Sequence, residues 1–531
     1  MKRKLLFLIF CVFVLADFAS AKNYYINSKT GNNSYNGQSA NKPKKTLSWF
    51  SWSTSFLEPG DTVFLMNGTY TGGNQFAILA LRASGSREKP LVFTNYPGHK
   101  PLLKLNEHKW AGIHVAEGAH DIVINGLTIQ GYNQNLTLEE AINQPGSCAN
   151  PGGSTDPKFN GSGISLEGRT NGKHVHHITV SNCEIFECAG GGIGGLEADY
   201  LRYENNLIYN NCWYTIYGNS GISNLNSWNY DDHTETEYSM IIRNNILFGN
   251  QLFVPWIGPC KIYDGNGIII DSEYNESKSF SAYSGKTLIE NNVVYDNGGR
   301  GIHVYKSANV DIINNTSYFN CKSPEISDGE ITVQNASNVR VFNNIIYARD
   351  GQNANLRLNS PTNITFGNNL IYNAVSGKIA FTNETDIVGL DPEFVDADLE
   401  NPDLRLSESS PARNAGTNAQ GLFSVYDING VSRYSGGIPD IGAFEFEEEI
   451  INSTNILPGK PQLRIYPNPA NNIVTVETRF SGLLEIFSAN GAKMLEKQLN
   501  EGDNQVAIDL LPQGIYTIRI GENTEKLIKQ N

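Results

Sequence analysis

The chain is poor in methionine, with four in 531 residues, and has a single long apolar run, at its amino terminus. No later stretch reaches the roughly 18 apolar residues that a membrane-spanning helix requires, so no such helix is expected. Basic residues are also short: 40 Lys and Arg face 54 Asp and Glu, a net charge of −14. That balance argues against nucleic acid and anionic membranes as partners. A polyanionic substrate would need local cations or calcium. The seven cysteines include no CxxC and no Cys/His spacing suited to zinc. Helical periodicity is missing as well. The apolar runs of the central chain are short, β-branched and cut by Asn, Gly and Asp, which excludes an α-solenoid and points to strands and turns.

What is abundant is a repeat. GKTLIENNVVYDN is followed by NVDIINNTSYFN and NVRVFNNIIYA. Aligned on the second Asn of each pair, the copies carry Asn292, Asn315 and Asn344, with Tyr295, Tyr318 and Tyr347 three residues on. The pattern extends to Asn206 with Tyr209, Asn245 with Phe248 and Asn369 with Tyr372. Anchors from Asn292 to Asn369 are 23, 29 and 25 residues apart; earlier intervals of 39 and 47 carry insertions. Three short strands and three turns need about 22 residues per coil, which a right-handed parallel β-helix supplies. Asn residues then stack as a side-chain amide ladder and the aromatics as a column. A second Asn column falls five residues later, at Asn211, Asn250, Asn297 and Asn320. Cys188, Cys212 and Cys321 each follow an Asn by six residues. They read as one inward column, either of buried thiols or with Cys188 bonded to Cys212.

Residues 1–21 have the charged start, the apolar core and the Ala19-Ser20-Ala21 ending of a signal peptide, so the mature protein is expected to be exported and soluble. The body is expected at 22–446, an acidic and Pro/Gly-containing linker at 447–460, and a small β-sandwich at 461–531. A long Asn-, Gly- and Pro-rich loop, 132–160, has the character of functional loops on rigid scaffolds.

Two segments carry specific resemblances. The opening strand and Gly/Asn-rich loop, then Pro59-Gly60-Asp61-Thr62-Val63 and Gly68-Thr69-Tyr70, resemble the start of secreted pectate-lyase-like β-helix proteins, where this segment caps the helix and forms its first coil. The superfamily contains lyases, hydrolases and non-enzymes, so the resemblance implies the fold more than a reaction. YPNPA, Asn490-Gly491 and LPQGIYTIRI resemble the C-terminal sorting domain of type IX secretion cargo in Bacteroidetes. That implies the type IX machinery as a partner, passage through the outer membrane, and release or attachment at the cell surface. A carbohydrate-binding or fibronectin-like module is the rival reading. Family-nine pectate lyases use an aspartate cluster for calcium and a lysine base. At the matching coils this chain has Gly299-Arg300-Gly301-Ile302-His303 and Asp328-Gly329-Glu330-Ile331-Thr332, so no catalytic residue carries over.

A further column reads Gly163-Ile164, Gly192-Ile193, Gly221-Ile222, Gly267-Ile268, Gly301-Ile302 and Glu330-Ile331. If each Ile points inward, strand alternation turns positions −1, +1 and +3 outward. Asp271, His303 and Glu330 would then form a solvent-facing diagonal, near Asp264 and Arg300, with Tyr305 and Lys306 beside it. Asp271, His303, Glu330, Asp264 and Arg300 are the candidate catalytic residues, and Tyr305 and Lys306 are candidate substrate-binding residues. Two carboxyl groups suit glycosidic hydrolysis; His303, Tyr305, Lys306 or Arg300 suit β-elimination, with Asp264 and Asp271 as candidate calcium ligands. The aromatics Trp213, Tyr214 and Trp228 are candidate sugar-stacking residues, as are Tyr217, Tyr230 and Trp256. The alternative is a polar solvated strand face and aromatic loop core. The expected function is a secreted, monomeric enzyme that degrades a polysaccharide by elimination or hydrolysis, against a non-catalytic glycan-binding or adhesion protein.

Overall fold

The structure, a computed structural model, describes residues 21–447 and 463–529, less 52–55, 73–75, 235, 360, 373–381, 419–424, 434–436 and six short stretches of the C-terminal part. The expected signal peptide and linker lie almost wholly outside the described residues. The chain divides into two compact units, Met1–Glu448 and Glu449–Asn531.

In the first unit, strands from successive coils pair in parallel into three sheets, of nine, eleven and eleven strands among the described residues. Sheet 1 runs from Ala77–Leu81 to Asn355–Leu358, sheet 2 from Asn23–Ile26 to Thr362–Gly367, and sheet 3 from Gly68–Tyr70 to Ile387–Val388. Each full coil visits sheets 2, 3 and 1 in turn, which is a parallel β-helix. The register stacks like on like. Ile164, Ile193, Ile222, Ile268, Ile302 and Ile331 pair in one file of sheet 1, and all six are buried. In sheet 3 the facing file is Ile185, Ile208, Leu247, Val294, Ser317 and Ile346. Burying these files supplies the main stabilising force.

The Asn-Asn pairs have two separate jobs. The first Asn of each, at 205, 244, 291, 314, 343 and 368, takes a left-handed backbone with φ between 51° and 59°, which Asn tolerates better than other non-glycine residues. The second is buried in the ladder. The Asn292 side chain donates to Asn315 Oδ1 (2.9 Å), and Asn315 in turn to Asn344 Oδ1 (3.0 Å). The other amide hydrogen reaches a backbone carbonyl, as from Asn315 to Ile289 at 2.9 Å. The ladder runs through Asn369 and ends on Asp386, whose Oδ1 accepts both the backbone and side-chain N–H of Asn369 at 2.8 and 3.2 Å. The aromatic file stacks from Phe186 through Tyr209 and Phe248 to Tyr295 at 4.9–5.0 Å and 2–16° between planes. Beyond it Tyr318 and Tyr347 tilt to 60°, because Phe319 and Phe394 pack against them.

Of the two readings of the cysteines the buried thiols hold, but not in a single column. Asn206 and Asn211 accept from the backbone N–H of Cys183 and Cys188, so Cys188 holds a ladder position, one file away from Cys212. Cys183, Cys188, Cys212 and Cys321 are buried thiols, and the disulfide joins Cys148 to Cys260. It staples the 132–160 loop to the insertion before sheet 1.

The second unit holds antiparallel sheets of three and four strands. Val474, Val476 and Val506 of one sheet share an apolar core with Leu484, Ile486, Ile518 and Leu527 of the other, which is a β-sandwich.

Replacing Asn315 by Ala removes the acceptor for Asn292 and the donor to Asn344 inside the core. We expect a loss of about 2–4 kcal/mol, read as a lower urea midpoint; an unchanged midpoint would show that the ladder does not stabilise the coil.

Candidate functional site

Four strands of sheet 1 carry the site: β1 (Ile222–Leu225), β2 (Ile268–Asp271), β3 (Ile302–Tyr305) and β4 (Ile331–Gln334). Each begins at its inward Ile, so alternation starts there. Ser223, Ile269, His303 and Thr332 pair in the outward +1 file, and Leu225, Asp271, Tyr305 and Gln334 in the outward +3 file.

The −1 position lies in the bend before the strand and faces inward, which corrects the expected diagonal. A Cβ on Gly192, Gly221 or Gly267 would come within 2.5, 3.0 and 2.2 Å of Ile208, Leu247 and Val294 of sheet 3. Glu330 turns into the same interior, where the Ser317 hydroxyl meets it. Its side chain is 1 % exposed and closes the second Asn ladder. Oε1 accepts the backbone N–H of Asn320 (2.8 Å), and Oε2 accepts the Asn320 amide and the Ser317 hydroxyl. Glu330 is therefore a ladder terminus, without access to substrate.

His303 points outward but is covered, 5 % exposed, with the Gln334 side chain beside it. Burial, with the Arg300 cation, pushes its pKa well below the usual range, so the ring is neutral. Arg300 is buried too and is tied to the Tyr263 carbonyl and to Asp328. Lys306 is held by Glu276 at 2.5 Å. Buried and doubly held, Arg300 is not free to neutralise a sugar carboxylate, whereas the Lys306 pair is exposed.

The two aspartates remain. Asp271 is half-buried at the end of β2. Burial pushes its carboxyl up to about 6, helped by Asp264 and opposed by Ser272 and Lys306. Ser272 donates to it at 2.7 Å. Asp264 is also raised by burial, against the pull of Arg300 and of the Asn266 amide at 3.0 Å. Gly218 packs on this carboxylate so closely that a Cβ would lie 2.4 Å from Oδ2. Among the described residues no group of three or more His, Cys, Asp or Glu side chains is arranged to hold a metal ion. The donor set agrees: Asp264 already serves an amide beside a guanidinium, which does not fit a calcium cage.

Next to the aspartates the floor opens. Ser165, Gly194 and Ser223 occupy the outward +1 file on the coils before β2, and a Cβ on Gly194 would meet nothing within 4 Å. Glu167 and Arg169 lie at one end of this floor, paired at 2.6 and 2.8 Å. Burial would raise Glu167, but Arg169 outweighs it and holds the carboxylate low.

The aromatic residues divide. Tyr217, Trp256 and Tyr263 are 37–42 % exposed on loops that reach Asp264 and Arg300. The sequence reading passed over Tyr263, whose only signal was its place beside Asp264. Trp213 donates to the Gly249 carbonyl and packs on Phe253, and Tyr214 joins the loop core around Ile216 and Val254. Trp228 stacks on His174 at 4.4 Å, at the opposite edge of sheet 1. Trp213 and Tyr214 are thus loop structure rather than sugar platforms.

Glu273, two residues after Asp271, is buried and pushed up to about 8 by burial, with Ser227 opposing. An unfolded glutamate titrates near 4.5. Between these values the folded state holds a proton the unfolded state has lost, so stability is fullest below about 4.5 and falls as pH rises toward 8. We expect the melting temperature to fall from pH 5 to pH 8 and Glu273→Gln to flatten that slope; an equally steep slope in the variant would assign it to other groups.

Residues 256–398 match the family model of the right-handed β-helix region, and residues 464–530 that of the secretion system C-terminal sorting domain. No curated protein matches the chain in sequence. Among solved structures, pectate lyase Pel9A is similar over 81 % of this chain and 97 % of its own, at 17 % identity and a TM-score of 0.43. The GH136 lacto-N-biosidase from Eubacterium ramulus is similar over 66 % and 56 %, at 16 % identity and 0.37. The mannuronan C-5 epimerase AlgE4 A-module of Azotobacter vinelandii is similar over 62 % and 91 %, at 15 % identity and 0.29. The chain is a right-handed parallel β-helix protein ending in a type IX secretion sorting domain, which directs it to the cell surface or the extracellular space.

Proposed function

We propose that this protein cleaves a polysaccharide laid along sheet 1, using Asp271 as general acid and Asp264 as its carboxylate partner. The observation that carries this reading is the juxtaposition of two raised carboxyl groups with an open floor at Gly194 and an aromatic rim. A carboxyl group near pKa 6 holds its proton in mildly acidic medium and can deliver it to a glycosidic oxygen. A neighbouring carboxylate can activate water or attack the sugar directly. Tyr217, Trp256 and Tyr263 offer faces for the apolar sides of sugar rings. Hydrolysis is favoured over elimination because Arg300 is buried and engaged in an ion pair with Asp328. The C-terminal sandwich takes no part in this chemistry.

The test is a panel of polysaccharides, with reducing ends and the ultraviolet absorbance of unsaturated uronates read in parallel. Reducing ends without absorbance are expected, and activity should fall above pH 6 as Asp271 loses its proton. Asp271→Asn should lower kcat on the order of 10²- to 10⁴-fold with an unchanged melting temperature. Gly194→Phe should block substrate while leaving the fold intact. A chain ending at Glu447 should keep full turnover. Binding without either product would instead make the protein a glycan-binding adhesin, and an active Asp271→Asn variant would move the chemistry off this coil.

A further inference from the structure

A second groove, of about 520 Å³, lies away from sheet 1, on the outer side of sheet 2, and Lys286, Asn309, Asp311, Asn338, Arg340 and Asn363 line it. Asp311 and Arg340 are register partners on adjacent coils. The Asp311 side chain is 3 % exposed and lies beneath two donors, Arg340 and the Tyr238 hydroxyl, with the Lys286 ammonium 3.9 Å away. Arg340 and Lys286, by contrast, are 27 % and 24 % exposed. The acid of the network is buried and its bases reach solvent, so the groove presents positive charge on a chain whose net charge is −14. Arg340 binds Asp311 through two of its three guanidinium nitrogens.

Beside this network stands an asparagine row unlike the two in the core. Asn309, Asn338 and Asn363 all take left-handed backbones, with φ of 60°, 54° and 53°. Asn338 donates to Asn309 at 3.1 Å and Asn363 to Asn338 at 2.6 Å. Asn338 and Asn363 are solvent-exposed, so burial does not demand these bonds. Amides repeating at the coil spacing of about 4.8 Å offer a row of donors and acceptors to a polymer whose own hydroxyl groups repeat.

We propose that this groove binds an anionic polysaccharide, its carboxylate or sulfate groups meeting Lys286 and Arg340 and its hydroxyl groups the asparagine row. Binding here needs no chemistry at Asp271, and a chain can be held on sheet 2 whether or not sheet 1 cleaves it.

Affinity gel electrophoresis of the full chain tests this, with polygalacturonate, chondroitin sulfate and neutral galactan as probes. Retention by one or both anionic polymers and not by galactan is expected, and whichever retains more strongly tells carboxylate from sulfate. Asn338→Asp with Asn363→Asp adds two negative charges at positions where Asp tolerates the left-handed backbone. It should weaken retention at least tenfold with an unchanged melting temperature, and Lys286→Ala should weaken it less. Gly194→Phe, which obstructs only the sheet 1 floor, should leave retention intact. Four outcomes would overturn the proposal: no retention of the wild type, equal retention in galactan, wild-type retention in the double variant, or loss of retention in Gly194→Phe.

Discussion

The structure depends on the polarity of a buried amide. A ladder asparagine has one oxygen and two amide hydrogens, and inside a solenoid all must be satisfied. Each Nδ2 is given to the next coil and to a carbonyl, and each Oδ1 receives from the previous coil, so a ladder has a direction. At its far end the last asparagine still needs an acceptor that offers no competing donor. A carboxylate meets that need, and both ladders end on one: Asp386 after Asn369, and Glu330 after Asn320. Because the bond joins only corner positions, the chain between rungs is free in length. Rungs 23 residues apart and rungs 47 apart make the same 2.9 Å contact. That freedom lets the corner loops grow into walls around sheet 1 without disturbing the core.

Much of this was legible because the repeat is written in residue types that do one thing each. The Asn-Asn doublet, the branched apolar positions and the aromatic three residues on gave the solenoid, its coil length and its ladder. What was lost was where alternation begins. Gly-Ile looks like two strand residues on opposite faces, yet the glycine belongs to the bend before the strand and faces the same interior. Gly192, Gly221, Gly267 and Gly301 face Ile208, Leu247, Val294 and Ser317 in turn, so a bend glycine stands against bulky and small sheet 3 residues alike. Which residue faces which bend is visible only once the coil is closed.

The site was legible in part for the same reason. Asp271, His303 and Tyr305 follow their isoleucines on true strands, and alternation turned them outward as expected. Their chemical states depend on what covers them, and the cover comes from insertions without a repeat. The Cys148–Cys260 bond spans 112 residues and no spacing rule announces it. Trp256 lies within the stapled loop, whereas Trp213 and Tyr214, similar in sequence character, sit under loops as core.

The aspartates and the asparagine ladders are linked by this economy of space. A solenoid core has no room for an uncompensated charge, so acids that enter it are capped by amides, as Glu330 and Asp386 are. Acids on the outward files are tuned instead by how far they are buried and by the side chains over them. Asp271 and Asp311 show the two outcomes. Asp311 lies beneath an arginine, a lysine and a tyrosine, becomes a fixed counter-charge, and leaves its bases to face solvent. Asp271 has only a serine hydroxyl at hydrogen-bond distance and a lysine already committed to Glu276. Its charge is therefore weakly compensated, and burial pushes its carboxyl up to about 6, which is the property on which the proposed general-acid role rests.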